Sequence, residues 1–300
     1  MPVLNYAQLY TQALEQKFAG GLYFNALYNV PNNSRIRWVN AKTIQIPRID
    51  VTGMVDVDRD SIGDFTRQVD NSWEAKTLQH DREFRTLVDP VDVDETNMAV
   101  TIANITNVFN DEQKIPEMDK YMASKLFAEF EEHGGEANTT ALTASNVLEV
   151  YDELMEQMDE AEVPSEGRLL YVTPAVYTLL KNAEAIDRSL NVSTGNAINR
   201  NVYGLDDVTL VRVPSARMKT VYDFTRGAVE GAGAVQINMI LIHPNAIISP
   251  QKYEFVSLDA PSARTGGKYL YYERKYWDVF AIERKVPGMA FNIQATGGGD

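Results

Sequence analysis

"SWEAKTLQHDREFRTLVDPVDVDETN", residues 72–97, decides the fold. From Trp73 to about Val88 it alternates as an extended chain does. Trp73, Ala75 and Thr77 fall on one side, and Glu74, Lys76, Leu78 and His80 on the other. Read as a strand pair, it carries charge on both faces and has no apolar side to bury. A two-stranded ribbon alone is marginally stable and leaves unpaired backbone groups along its edges. Such a ribbon needs a surface to lie on, and the simplest is a neighbouring subunit. Glu74, Lys76, Asp81, Arg82, Glu83 and Arg85 mix acids and bases within one run. Period two sends successive side chains to opposite faces, and opposite charges facing across strands contribute about 0.2–1 kcal/mol each. Register setting or subunit pairing explains them better than catalysis, and Glu74, Lys76, Arg82 and Arg85 are expected to meet a second copy.

Upstream, residues 50–72 read as an irregular acidic loop, and Lys42, Ile44 and Ile46 as a short edge strand closed by Pro47. Residues 48–97 together form a polar extended excursion, where an ordinary connection spans about 4–6 residues. The chain begins with an amphipathic helical pattern, Tyr6, Leu9, Tyr10, Ala13, Leu14 and Phe18, stopped by Gly20 and Gly21. An irregular arm follows, with a small basic cluster of Arg35, Arg37 and Lys42, of which Arg35 and Arg37 are also expected at a subunit contact, against acidic patches of neighbouring copies. Downstream, Ile115, Met118, Met122, Leu126 and Phe130 mark a long amphipathic helix closed by Gly134 and Gly135. A second helix spans about 145–161 with Val147, Tyr151, Leu154 and Met158 on its buried stripe. "RLLYVTPAVYTLLKNA" reads as a strand followed by a helix, with Thr173 as N-cap and Pro174 at the first helical position. "DDVTLVRVP", "INMILIHPNAIIS" and "YLYYERKYWDVFAIERKVPGMAFNI" supply further strands, and the aromatics of "YLYYERKYW" read as alternately buried rings rather than a base-stacking platform. The class is α+β or mixed α/β, without a solenoid repeat.

With 300 residues, 44% of them hydrophobic and 23% charged, the chain can build a sizeable core. The net charge of −14 disfavours tight nonspecific binding to nucleic acid, which needs clustered Lys and Arg. Absence of cysteine excludes disulfides, thiol nucleophiles and thiolate metal sites. The N-terminal stretch lacks the signature of a signal peptide, and no apolar run is long enough to span a membrane.

Catalytic motifs fare poorly. Asp56, Asp58 and Asp60 alternate like the first ligands of a calcium loop, but Ser61 and Arg67 stand where that motif needs Gly and Glu. A solvated acidic loop is the better reading, and a metal-dependent hydrolase on these aspartates the weaker one. His80, His133 and His243 lack a second histidine at helical ligand spacing and read as surface or turn residues. No serine sits in a nucleophile elbow, and "GAVEGAGAV", Gly227 to Val235, matches neither a dinucleotide nor a phosphate loop and reads as a flexible surface loop. No catalytic group, cofactor or metal is expected.

The order of elements, an arm, a long charged excursion, a long helix, an α/β block and a terminal "FAIERKVPGMAFNI", resembles the major capsid proteins of tailed phages with the Hong Kong 97-type fold. The 72–97 stretch, with the "DRD" before it, is similar to capsid proteins of phages of Gram-positive bacteria. The resemblance implies an α+β fold divided into an N-terminal arm (1–47), an extended loop (48–98), a peripheral domain with a spine helix (99–139), an axial domain (140–260) and peripheral return strands (261–300). It implies hexamers and pentamers of an icosahedral shell around double-stranded DNA held without sequence specificity, a portal, and assembly in the host cytoplasm into a virion. Since the N-terminal arm leaves no room for a fused scaffolding segment, a separate scaffolding protein is expected. Lys76 is the lysine of the expected loop, but no matching acceptor is identified and no crosslink is predicted. An encapsulin-type nanocompartment shell is the alternative within the same fold.

Overall fold

A computed structural model describes residues 20–40, 42–51, 53–54, 69–95, 102–183 and 204–295. The expected N-terminal helix and Asp56, Asp58 and Asp60 lie outside the described residues. In chain order the helices are α1 (Asn25–Tyr28), α2 (Pro90–Glu95), α3 (Ile102–Phe109), α4 (Ile115–Glu132), α5 (Val147–Glu160) and α6 (Pro174–Asn182). The strands are β1 (Arg37–Trp38), β2 (Thr43–Val51), β3 (Val69–Thr77), β4 (His80–Val88), β5 (Leu169–Val172), β6 (Gly204–Leu205), β7 (Val208–Arg212), β8 (Tyr222–Asp223), β9 (Val229–Glu230), β10 (Ile237–Ile242), β11 (Ile247–Ile248), β12 (Gln251–Asp259), β13 (Tyr269–Trp277), β14 (Phe280–Ala281) and β15 (Met289–Ile293).

A five-stranded sheet in the order β15-β10-β5-β7-β6 forms the centre. Its inner strands are apolar at nearly every position because both faces are covered. Leu170, Val172, Met239 and Leu241 meet α5 and α6, while Tyr171, Ile240, Ile242 and Phe291 meet α4 and the segment around Phe24 and Leu27. Thr173 caps α6 by accepting the Val176 N–H, and Pro174 opens the helix, as the sequence implies.

Helix α4 buries Met118, Met122, Leu126 and Phe130, the predicted stripe, and continues α3 through a π-helical turn at 110–114. It ends in a Schellman arrangement. Gly134 takes φ of 80° and donates to the Glu131 carbonyl, while Gly135 donates to that of Phe130.

The extended residues 69–88 depart from the sequence reading. β3 and β4 are both strands, but they do not pair with each other. β3 pairs with β2 in a sheet ordered β1-β2-β3, and β4 pairs with β13 in a sheet ordered β12-β13-β4. The hairpin over 72–97 is therefore replaced by a ribbon of β2 and β3, and Pro90–Glu95 turns helical. The ribbon strands are also longer than read. β3 begins at Val69, inside the expected loop, and β2 runs through Pro47 to Val51. Pro47 is tolerated because β1 reaches only Ile44 and Gln45, leaving the rest of that edge open. β12 escaped the sequence reading, and the glycine-rich stretch at 227–235 contributes β9 to a small pairing with β8.

A Cβ on Gly135 would lie 2.3 Å from the Phe130 ring. Gly135→Ala is expected to destabilise the protein by about 1–3 kcal/mol, read as a lower urea midpoint with an unchanged slope.

Candidate functional site

The β2–β3 ribbon resolves the puzzle of the missing apolar face. Its register sets Gln45 opposite Ala75, Pro47 opposite Trp73, Ile49 opposite Asn71 and Val51 opposite Val69, so these residues share one face. Ile46, Arg48 and Asp50, opposite Glu74, Ser72 and Asp70, share the other. One face is therefore largely apolar and the other charged, a division invisible while β3 was matched with β4.

The orientation is the reverse of a core strand. The charged face leans on its own chain, where Arg48 pairs with Glu283 at 3.1 Å and Asp50 pairs with Arg284, while within the face Lys76 pairs with Glu74 at 2.9 Å. Partly exposed pairs of this kind contribute about 0–1 kcal/mol each. The apolar face points to solvent, with Ile49 63%, Val51 69% and Trp73 46% exposed. Arg37 lies over the Trp73 ring at 5.9 Å.

The root of the ribbon is buried. Ile44 and Leu78 pack with Ile248, Tyr276 and Phe280. The Leu78 N–H donates to the Lys42 carbonyl at 2.9 Å, closing the two strands. Beyond it His80 stacks on Tyr121 at 3.8 Å between ring centroids and meets Trp277 and Phe224 edge-on. His80 is thus a buried aromatic spacer, contrary to its reading as a surface histidine. His243 is buried too, as its turn position requires: it accepts the Asn245 N–H on Nδ1 and caps residues 244–246.

The six residues expected at a subunit contact do not share one surface. Glu74 and Lys76 sit on the charged face of the ribbon, with Arg37 at its side. Arg35 is exposed at the end of the 3-10 turn Pro31–Arg35. Arg85 is exposed on the outer face of the β12-β13-β4 sheet, opposite Tyr272. Arg82 points the other way, toward α4. It grips Glu117 at 2.5 Å and donates to the Phe224 and Gly227 carbonyls. Arg82 thus has partners within its own chain.

Buried acids on α4 are what sequence reasoning missed. Asp119 accepts Arg217 at 2.7 Å and the Phe24 N–H at 3.1 Å, fastening the N-terminal segment to the helix. Burial pushes its carboxyl up, and Arg217 offsets this only in part. Glu129 accepts the Ala281 N–H at 3.1 Å and pairs with Lys125. A signal for Asp119 was available, since it lies four residues after Ile115 and three before Met122, on the apolar stripe itself. Among the described residues no group of three or more potential metal ligands occurs, and no helix is long and apolar enough to cross a membrane.

This arrangement, a central mixed sheet, a long helix, a second sheet and a projecting ribbon, is an α+β fold. Solved phage structures share it over most of their length. The capsid of the cyanophage P-SCSP1u matches with a TM-score of 0.68 and 10% identity over 94% of this chain and 90% of that one. The asymmetric unit of the mature capsid of bacteriophage PhiM1 gives 0.64 and 14% over 86% and 83%, and a structure from Mycobacterium phage Che8 gives 0.62 and 12% over 92% of each. At these identities the likeness is one of fold. No protein-family model and no curated protein matches the chain.

Burial raises the Glu117 carboxyl, but the nearby His80 ring, 3.5 Å away at Nε2, and the hydrogen-bonded Arg82 guanidinium outweigh it and hold the carboxyl below the usual range. A depressed folded value contributes stability above the unfolded value of about 4.3 and loses it as pH falls through the folded one. Arg82→Met should therefore lower stability at pH 7 by about 1–3 kcal/mol and flatten the acid limb below pH ~4.3 in a plot of urea midpoint against pH.

Proposed function

We propose that the chain is a major capsid protein that self-assembles into hexamers and pentamers of an icosahedral phage head enclosing double-stranded DNA. The observation that carries this reading is the inverted ribbon. Its charged side faces its own chain and its apolar face points outward, leaving a surface that a monomer cannot cover. Exposed apolar patches of this kind mark protein interfaces, and a shell of many copies needs large mutual contact more than one strong site. The shared fold of phage capsids supports the same reading.

In this role the partition into arm (1–47), extended loop (48–98), spine-helix segment (99–139), axial domain (140–260) and return segment (261–300) describes the working parts. The ribbon pairs β3 of the loop with β2, which begins in the arm and runs into the loop, and β4 anchors the loop within the β12-β13-β4 sheet. The protein is structural rather than enzymatic and works in the virion after assembly in the host cytoplasm, with a separate scaffolding protein and a portal as partners. Its net charge of −14 suits a wall that repels the DNA backbone, so that the genome is held without adhesion. Arg35, Arg37, Glu74, Lys76, Arg82 and Arg85 remain proposed subunit contacts. For Arg82 and Lys76 such contacts would add to the pairs they make within the chain.

Size-exclusion chromatography and negative-stain microscopy test the reading directly. Capsomers or closed particles tens of nanometres across are the expected products, and a strictly monomeric protein at every concentration would overturn it. Trp73→Asp separates assembly from folding. Its exposed position predicts a stability change within about 0.5 kcal/mol, while the charge placed on the apolar face should abolish particles. A variant that still assembles at the wild-type yield would remove the ribbon face from the interface.

A further inference from the structure

We infer that Asp278 is a positioning residue that fixes the angle of the ribbon against the body, an inference that rests on the shell reading for its consequence but not for its geometry. The ribbon leaves the body at Leu78 and Gln79, the two residues between β3 and β4. Asp278 stands at that joint, 1% exposed, in the turn between β13 and β14. One carboxylate oxygen accepts the Gln79 N–H at 2.7 Å. The other accepts the Tyr121 hydroxyl at 2.6 Å and the Val279 N–H at 2.8 Å. Its own N–H donates to the Pro250 carbonyl at 3.2 Å.

A single buried anion therefore ties together the ribbon joint, the long helix and the β13–β14 turn. Among the described residues its charge is met by these three donors rather than by a paired cation, and hydrogen bonds to an ionised acceptor are the stronger kind. Burial and the Asp278 charge push the Tyr121 phenol up, so it stays a donor. Two neighbours restrict the joint further. The Tyr276 hydroxyl donates to the Leu78 carbonyl at 2.6 Å, and His80 is stacked on Tyr121 itself. The same tyrosine thus holds the joint by its ring and, through Asp278, by its hydroxyl. Rotation of the ribbon about Leu78 and Gln79 would have to break the Gln79 bond and leave a buried carboxylate oxygen without its donor. The surface pairs at Arg48 and Asp50 are too exposed to resist such rotation.

Hydrogen exchange of the unassembled protein reads this joint directly, because the Gln79 amide is itself a donor to Asp278. In Asp278→Asn, exchange of the Leu78 and Gln79 amides should accelerate about tenfold or more, while the amides of Leu170–Val172 and Ile240–Leu241 in the central sheet keep their rates. Particles made by that variant should spread in diameter where the wild type is uniform. Unchanged exchange at Gln79, or an equal acceleration in the central sheet, would overturn the clamp. Accelerated exchange with variant particles as uniform as those of the wild type would overturn its positioning role. Should Asp278→Asn fail to fold, Tyr121→Phe keeps the ring and removes one donor. A rise of several-fold at Gln79 is then expected, and none would refute the inference. If the wild type forms no particles, the shell reading fails while the exchange comparison still decides the clamp.

Discussion

Everything else in the molecule is hung on helix α4. It is buried on more than one side, so it cannot be the half-wet amphipathic helix of an ordinary surface. The price is a set of acids with little access to water, and each is matched to a different part of the chain. Glu117 takes Arg82 from β4, Asp119 takes Arg217 and the backbone before α1, and Glu129 takes the N–H of Ala281. Tyr121 adds the hydroxyl that meets Asp278. Losing one partner of such a pair leaves an uncompensated charge away from water, which is far more costly than the pair is favourable. These contacts therefore act less as a source of net stability than as a penalty on any other arrangement, which is how one helix can dictate where several distant segments sit.

The two faces of the central sheet show how much of this was legible. Leu169–Val172 is apolar or aromatic throughout and Ile237–Ile242 at every position but Asn238, and a fully covered strand is what they encode. The helices at 115–132, 147–160 and 174–182 followed from apolar spacing, the Thr173 cap and the paired glycines after Glu132. What the residues did not announce was pairing. A strand's alternation says which side chains share a face, but not which partner lies beside it. β3 and β4 are adjacent in sequence and both extended, and a two-residue gap between them invites a hairpin reading. Nothing local reveals that Leu78 and Gln79 carry the chain from one sheet into another. The buried acids were hidden for a related reason, since charge on a helix is normally solvated, and only the position of Asp119 on the apolar stripe hinted otherwise.

The ribbon shows the consequence of that ambiguity. Matched with β4, β3 joins a pair that carries charge on both sides. Matched with β2, it contributes Trp73, Ala75 and Val69 to a face completed by Pro47, Ile49 and Val51. The amino acids are the same, and only the neighbour changes whether they read as a solvated strand or as one half of an interface. The subunit contact was inferred from the charged residues, whereas the exposed surface is carried by the apolar ones between them.

The two-residue joint between β3 and β4 also makes the ribbon a lever. Nine residues of strand extend about 30 Å at ~3.3 Å each, so a rotation of only 10° at Leu78 and Gln79 would carry the far end of Thr43–Val51 sideways by about 5 Å, roughly the spacing of two neighbouring strands. Small errors at the root thus become errors of a whole strand position at the tip. In a closed surface built from repeated copies, angular stiffness at a few buried atoms would then govern curvature more strongly than the strength of any contact made farther out.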